Sequence, residues 1–237
     1  MALVLVTGAS GGLGLAAASE LAAQGHEVVV HSRTAARRPA SGAGLVWKGA
    51  IVGDLSDFGE TEDVAEQAKA FGTFDAVIHN AGTIGGRGLR EVNIIAPYVL
   101  TALMPKPGRL VYISSSMHRG GSTDLGRLES GAASYSDTKL WVTALALATA
   151  NRWERTTAHA VDPGWVPTRM GGAGAPDDLT AGHQTQAWLA SHPEVMPATG
   201  GYWYHMRTER PAPAAADPGF QEGLLQALRR STGLDLD

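Results

Sequence analysis

Residues 3–14 read Leu3-Val4-Leu5-Val6-Thr7-Gly8-Ala9-Ser10-Gly11-Gly12-Leu13-Gly14. The apolar run Leu3 to Val6 has the length and composition of a buried strand, and the stretch beyond it is glycine-rich. An alanine-rich helical segment follows to about Gln24, with Gly25 as its stop. Strand, glycine loop and helix in that order point the first N–H groups of the helix, and the positive end of its dipole, at a phosphate. Glycine suits the tight turn and the close approach of a pyrophosphate to the backbone. The chain has 30 glycines, so the loop alone is a modest signal. Its place directly after an N-terminal strand makes a bound nucleotide the expectation.

Downstream, the same alternation continues. Strands are expected at 2–7, 27–32, 48–53, 74–79, 109–114, 156–162 and 200–205, and helices at 12–24, 60–71, 92–104, 134–151, 177–191 and 219–231. This predicts an α/β, Rossmann-type doubly wound, mostly parallel sheet of about seven strands with helices on both faces. Arg210 to Gly219, with three prolines and four alanines, reads as a linker to the last helix, so 1–237 forms a single domain.

The second decisive stretch opens the long helix. Ser134 followed by Asp137 forms a capping-box pattern, and Tyr135 and Lys139, four residues apart, leave the same helix face. By composition a Tyr-x-x-x-Lys pair arises by chance in about one such chain in twelve. Its position beyond the glycine loop turns a weak pair into a candidate acid–base site.

Taken together, the motifs resemble the short-chain dehydrogenase/reductase family over nearly the whole chain. Thr7 to Gly14 is similar to TGxxxGxG, Asp54-Leu55 to the dipeptide that flanks the adenine, and Asn80-Ala81-Gly82 to NAG. Asn93 matches the family's helical Asn, Ser115 its catalytic Ser, Tyr135 and Lys139 its YxxxK, and Pro163-Gly164 with Thr168 its PGxxxT. The resemblance implies that Asn93, Ser115, Tyr135 and Lys139 are catalytic. It further implies a nicotinamide dinucleotide held by Gly8, Ser10, Gly12, Leu13, Gly14, Ser32, Arg33, Asp54, Leu55, Asn80, Ala81, Gly82, Tyr135, Lys139, Pro163, Gly164, Val166 and Thr168. Two departures stand out. Asn80 and Asn93 are only 13 residues apart, which trims one wall of the site and the helix on which oligomer contacts would rest. Ser115 to Tyr135 spans 20 residues. The Ser114-Ser115-Ser116-Met117-His118 start, the inserted Arg119 to Gly131 and the Thr199-Gly200-Gly201-Tyr202-Trp203 ending resemble the retinol-dehydrogenase-like branch.

Reducing a carbonyl leaves an alkoxide that needs a proton. Tyr135 can exchange it near neutral pH only if its phenol, ordinarily at about 10, is lowered, and Lys139 is the cation placed to do so. Ser115 would orient the carbonyl oxygen, with Ser114 and Ser116 as competitors for that role. By resemblance, Asn93 holds a water between Lys139 and solvent. At the end of the second strand, Ser32 and Arg33, with Arg37 and Arg38 behind, stand where a carboxylate would mark an NAD user. NADP(H) is thus favoured over NAD(H), the alternative being a basic solvated loop, and Gly11 occupies a place where NADP users often carry a further basic residue. A substrate lid is expected at about 168–195, from its glycines and the apolar Leu179, Trp188 and Leu189.

Composition narrows the class. A net charge of −4 without Lys/Arg blocks excludes nucleic acid as the expected partner, and the absence of cysteine excludes disulfides and thiolate metal sites. The eight histidines show no metal-ligand spacing, and His118 and His183 read as surface polar residues rather than substrate contacts. No apolar run is long enough to span a bilayer, so the expected setting is the cytoplasm. The expected partner is a small or medium, lipophilic ketone or alcohol, in a homodimer or homotetramer. Two other readings remain: an epimerase or dehydratase on the same fold, and a non-catalytic NADP(H)-sensing regulator.

Overall fold

The structure, a computed structural model, describes residues 1–41, 46–86 and 88–236. Its centre is an eight-stranded sheet in the order β3-β2-β1-β4-β5-β6-β7-β8. The strands are β1 (Leu3–Val6), β2 (Glu27–Ser32), β3 (Gly49–Val52), β4 (Ala76–His79), β5 (Arg109–Ile113), β6 (Thr157–Asp162), β7 (Tyr202–Tyr204) and β8 (Arg207–Glu209). The first seven run parallel, and β8 folds back antiparallel on β7. The chain reverses from one half of the sheet to the other between β1 and β4, which places a crevice at the carboxyl ends of those strands.

Two apolar layers explain why β1 is apolar at every position. Leu5 faces one core and Val4 and Val6 the other. The first core is closed by α2 (Phe58–Lys69), α3 (Ala96–Leu103), α5 (Tyr135–Arg152), α7 (Pro213–Ala216) and α8 (Pro218–Thr232), the second by α1 (Gly12–Ala23) and α6 (Leu179–Ser191). A short α4 (Gly126–Ser130) packs against α8. Residues Asp137 to Thr149 of α5 are buried throughout, so this helix shows no amphipathic stripe. It is held between the sheet and the α7–α8 pair. Trp141 is fully buried there, and truncating such a ring costs about 3–5 kcal/mol.

Three features depart from the sequence expectation. The sheet has eight strands, because the short, exposed Arg207–Glu209 pairs at the edge without an apolar pattern to announce it. Between β2 and β3 lies a 3₁₀ turn, Ala35–Arg37, where the sequence predicts no regular element, and Trp47 donates to the Pro39 carbonyl (3.1 Å). The Arg210–Gly219 linker contains α7. Within the segment expected as a lid, 168–195, Leu179–Ser191 buries Gly182, Thr185, Ala187 and Leu189 and packs along α1.

Candidate active site

The glycine loop is shaped as much by its neighbours as by any ligand. Gly8 has φ +67°, and a Cβ there would lie 2.8 Å from the Ala81 Cα. A Cβ on Gly14 would meet the Asn80 amide at 2.3 Å and the Gly8 carbonyl at 2.7 Å. By contrast, a Cβ on Gly11 would meet nothing within 4 Å, and one on Gly12 only Thr168. The α1 N-terminus carries no side-chain cap, and Ser10, Gly11 and Gly12 are exposed. This is an open cradle of backbone donors at a helix start, which fits a dinucleotide pyrophosphate. Leu13 is half-buried against Gly182.

Asn80 and Ala81 brace that cradle. Both of their N–H groups donate to the Thr7 hydroxyl at 3.0 Å, and the Asn80 amide donates to the Thr7 carbonyl at 2.9 Å. His31 does the same from the other side. Its Nδ1 accepts the Gly8 N–H (3.1 Å), so its Nε2 donates to the Gly53 carbonyl (3.0 Å). Burial holds His31 below the usual imidazole range, which keeps Nδ1 an acceptor.

At the adenine end, Leu55 is buried in the core and Asp54 binds the Ser56 N–H and hydroxyl. Arg33 is exposed, with its Nε 3.9 Å from the Asp54 carboxylate, and Arg37 and Arg38 are exposed beside it. Ser32 is buried and donates to the Thr34 carbonyl at 3.1 Å, so its hydroxyl proton is already engaged.

The candidate acid–base residues come together where β5 ends and α5 begins. The capping box is complete: Ser134 accepts from the Asp137 N–H, and Asp137 from the Ser134 N–H. Asp137 also binds the Ser122 N–H (2.7 Å) and Arg127 (2.8 Å), tying the Arg119–Gly131 insertion to the helix start. Lys139, buried, donates to the Ile113 carbonyl at 2.8 Å and lies 5.4 Å from the Tyr135 ring centroid. Ser115, whose Oγ accepts the Met117 N–H at 3.3 Å, is close enough to Tyr135 to pull its phenol down. Its competitors are elsewhere: Ser114 bonds Thr143 in the interior at 2.6 Å, and Ser116 is exposed.

Asn93 sits in a π-helical turn, Glu91–Ile95, at the head of α3. Its amide donates to the Thr83 carbonyl and the Thr138 hydroxyl, and its oxygen accepts the Thr83 N–H. The side chain therefore fastens the Asn80–Gly82 loop to α5. A Cβ on Gly82 would be 3.5 Å from the Asn93 oxygen and 3.8 Å from the Lys139 Nζ, which places this loop in contact distance of both side chains.

Electrostatics differ from the simple expectation. Burial pushes the Tyr135 phenol up, Ser115 pulls it down, and the charge of Asp162 pushes it up. Lys139 is brought down to about 8 by burial, opposed by Asp162. Tyr135 is thus held in its neutral, proton-donating form.

Pro163 and Gly164 follow β6. Gly164, at φ +80°, is boxed in by Asp177 and His205, and Asp177 accepts the Trp165 N–H at 2.6 Å. Val166 is buried against Gly182, and Thr168 rests on Gly12. His118 is buried rather than on the surface: its Nδ1 donates to the Ser115 carbonyl (2.8 Å) and its Nε2 accepts the Ala212 N–H (2.9 Å). His183 bridges α6 to Glu20 of α1 at 2.9 Å. The trimmed segment after Gly82, whose Arg87 lies outside the described residues, borders a cavity of about 430 Å3 lined by Ser56, Leu89, Arg90 and Ala133 among others.

A sequence model of the short chain dehydrogenase family matches residues 2–178. The short-chain dehydrogenase chyC of Penicillium rubens is 35% identical over 260 residues, covering 100% of this chain and 99% of that protein. A Streptomyces protein provisionally named daunorubicin C-13 ketoreductase DnrU is 27% identical, covering 97% of this chain and 92% of its own. A crystal structure of an uncharacterised protein from Mycobacterium paratuberculosis superposes with a TM-score of 0.84 at 22% identity, over 100% of this chain and 95% of that one.

Proposed function

The chain belongs to the short-chain dehydrogenase family and is an oxidoreductase of its ketoreductase type, acting on CH–OH and C=O groups, and we propose that it uses NADP(H) to reduce small or medium, lipophilic ketones. The observation that carries this reading is the assembly of Ser115, Tyr135 and Lys139 at one corner of an open phosphate cradle. A regulator that only senses the nucleotide would need the cradle and not this corner.

The residues divide the work as follows. The uncapped start of α1 receives the pyrophosphate, and Lys139 reaches the nicotinamide ribose from α5. The bound cofactor supplies the hydride. Ser115 donates to the carbonyl oxygen, and Tyr135 gives up its phenolic proton to that oxygen as charge develops on it. Asn93 keeps the Gly82 loop and α5 in register, so that Lys139 and Tyr135 keep their spacing. Arg33 would meet the 2′-phosphate, with Arg37 and Arg38 adding to a local positive field and Ser32, in place of an acidic residue, ending β2.

The apolar character of the substrate rests on the loops at the same sheet edge. Ile84 after β4, Met117 after β5, and Trp165 and Met170 after β6 are all exposed large apolar side chains. The likeness to a Streptomyces protein provisionally named a ketoreductase supports the ketone part of the reading. The test is a panel of aliphatic, aryl and polycyclic ketones offered with NADPH or NADH. Ketone-dependent consumption of NADPH, faster than that of NADH, is expected. No consumption with either cofactor would overturn the reading, and equal use of both would overturn its NADP(H) part.

A further inference from the structure

Asp162 ends β6 and is 5% exposed, and no family motif quoted above includes it. Strand alternation fixes where it points. Val161 faces the core under α1 and α6, whereas Ala160 faces the core under α5, so Asp162 lies on the α5 side with Ala160. Tyr202, on the neighbouring strand and in the same core, donates to one carboxylate oxygen at 3.2 Å. The Gly164 N–H donates to the other at 3.0 Å. Ile113, whose carbonyl holds the Lys139 ammonium, is paired in register with Val161. A buried carboxylate therefore stands beside the proton-transfer corner without belonging to the acid–base set.

We propose that Asp162 is a positioning residue for proton transfer: anchored by Tyr202 and Gly164 at the end of the strand paired with the one whose Ile113 carbonyl holds Lys139, its carboxylate sets the field at that corner and biases the site toward carbonyl reduction. The inference rests on the ketoreductase reading above. Around the carboxylate stand Tyr135 and Lys139 of α5, His118 and Arg119 of the turn after Ser115, Tyr202 and Tyr204 of β7, and Glu209 of β8. Arg119 is spent on Glu209 and on the Arg210 carbonyl, and His118, lowered chiefly by burial, is committed to Ser115 and Ala212. Neither neutralises Asp162. Burial, with the charge of Glu209 adding to it, leaves the Asp162 carboxyl raised, although the Gly164 N–H, the Tyr202 hydroxyl and His118 draw it part of the way back down. Its charge in turn raises both Tyr135 and Lys139. In a poorly hydrated pocket such a charge acts more strongly than it would in water.

The test compares pH–rate profiles of ketone reduction and alcohol oxidation in the parent, Asp162→Asn and Tyr202→Phe. Removing the charge lets Tyr135 and Lys139 deprotonate at lower pH. For Asp162→Asn, reduction at about pH 9 relative to about pH 7 should fall at least about threefold, while oxidation near neutral pH should rise relative to alkaline pH. Tyr202→Phe removes a hydrogen bond but leaves the charge, so its limbs should stay near the parent's. If Asp162→Asn does not fold, Asp162→Ser keeps an acceptor for Gly164 without the charge, and the same limb shift is expected. Limbs that stay in place in a turning-over variant, a uniform loss in both directions, or an equal shift in Tyr202→Phe would each overturn the proposal. A parent without any ketone turnover would overturn the ketoreductase reading and this inference together.

Discussion

Where β5 meets α5, Lys139, Asn93 and Ser114 are buried and each is bonded to a named partner, and Tyr135 is braced by a complete capping box. At the end of β2, Arg33, Arg37 and Arg38 stand in solvent, and the nearest carboxylate to Arg33 is 3.9 Å away. One end of the cleft is a pre-organised network in which small displacements matter. The other is a mobile-sided field of charge that water and salt screen. Under the proposed reading, chemistry belongs to the buried end and cofactor preference to the exposed one, and substitutions rank accordingly.

The largest effect belongs to the buried end. Lys139→Met removes the cation from beside Tyr135 and from the ribose site, so turnover should fall by about 10²-fold or more and NADPH affinity should fall with it. Single-turnover rates and cofactor titration separate the two losses. An affinity loss with unchanged rate would make Lys139 a binding residue alone.

Arg33→Ala at the exposed end should weaken NADPH and spare NADH. A charge-assisted phosphate contact contributes about 1.5–3 kcal/mol, at most about a hundredfold, and solvent reduces that here. The gap between the cofactors should also narrow as salt rises. A gap insensitive to both the substitution and salt would remove Arg33 from the account.

A smaller effect concerns the frame beneath both ends. His159 is held down to about 4, chiefly by burial, and His79 to about 3 by burial. Unfolded, each titrates at about 6.5, so the unfolded chain binds more protons as pH falls below that value. From these two histidines, stability should be level between about pH 6.5 and pH 8 and decline progressively toward about pH 4. Denaturant midpoints across that range check the sign, and a stability that rises on acidification would contradict it. Protonated His159 would also lose its acceptance of the Gly201 and Trp203 N–H groups.

The smallest expected effect lies in the segment between the two ends. Amides of Leu179–Ser191 should be protected without ligand, because that helix packs on α1. Those of residues 165–178 should exchange faster and slow when NADPH and ketone are added. Equal protection throughout would make the whole segment scaffold.

Much of this was legible in the chain because local patterns report local structure. The apolar runs located β1 to β7 to within about two residues, and Ser134-x-x-Asp137 fixed the start of α5. What escaped notice is decided at long range. Arg207–Glu209 is polar and short, and becomes β8 only because Tyr202–Tyr204 offers an edge. His31, in an apolar strand, braces Gly8 from 23 residues away, and Asp162 and Tyr202 meet across 40. No spacing rule connects such pairs. A buried polar residue at a strand's carboxyl end, where the crevice opens, was the available signal for both His31 and Asp162.

Tyr135→Phe tests the central claim most directly, because it deletes one hydroxyl at the buried end and leaves the cofactor cradle intact. NADPH affinity should stay near the parent value while turnover of any accepted ketone falls by about 10²- to 10⁴-fold. Turnover within a few-fold of the parent, with NADPH still bound, would show that Tyr135 is not the proton donor and would contradict the account.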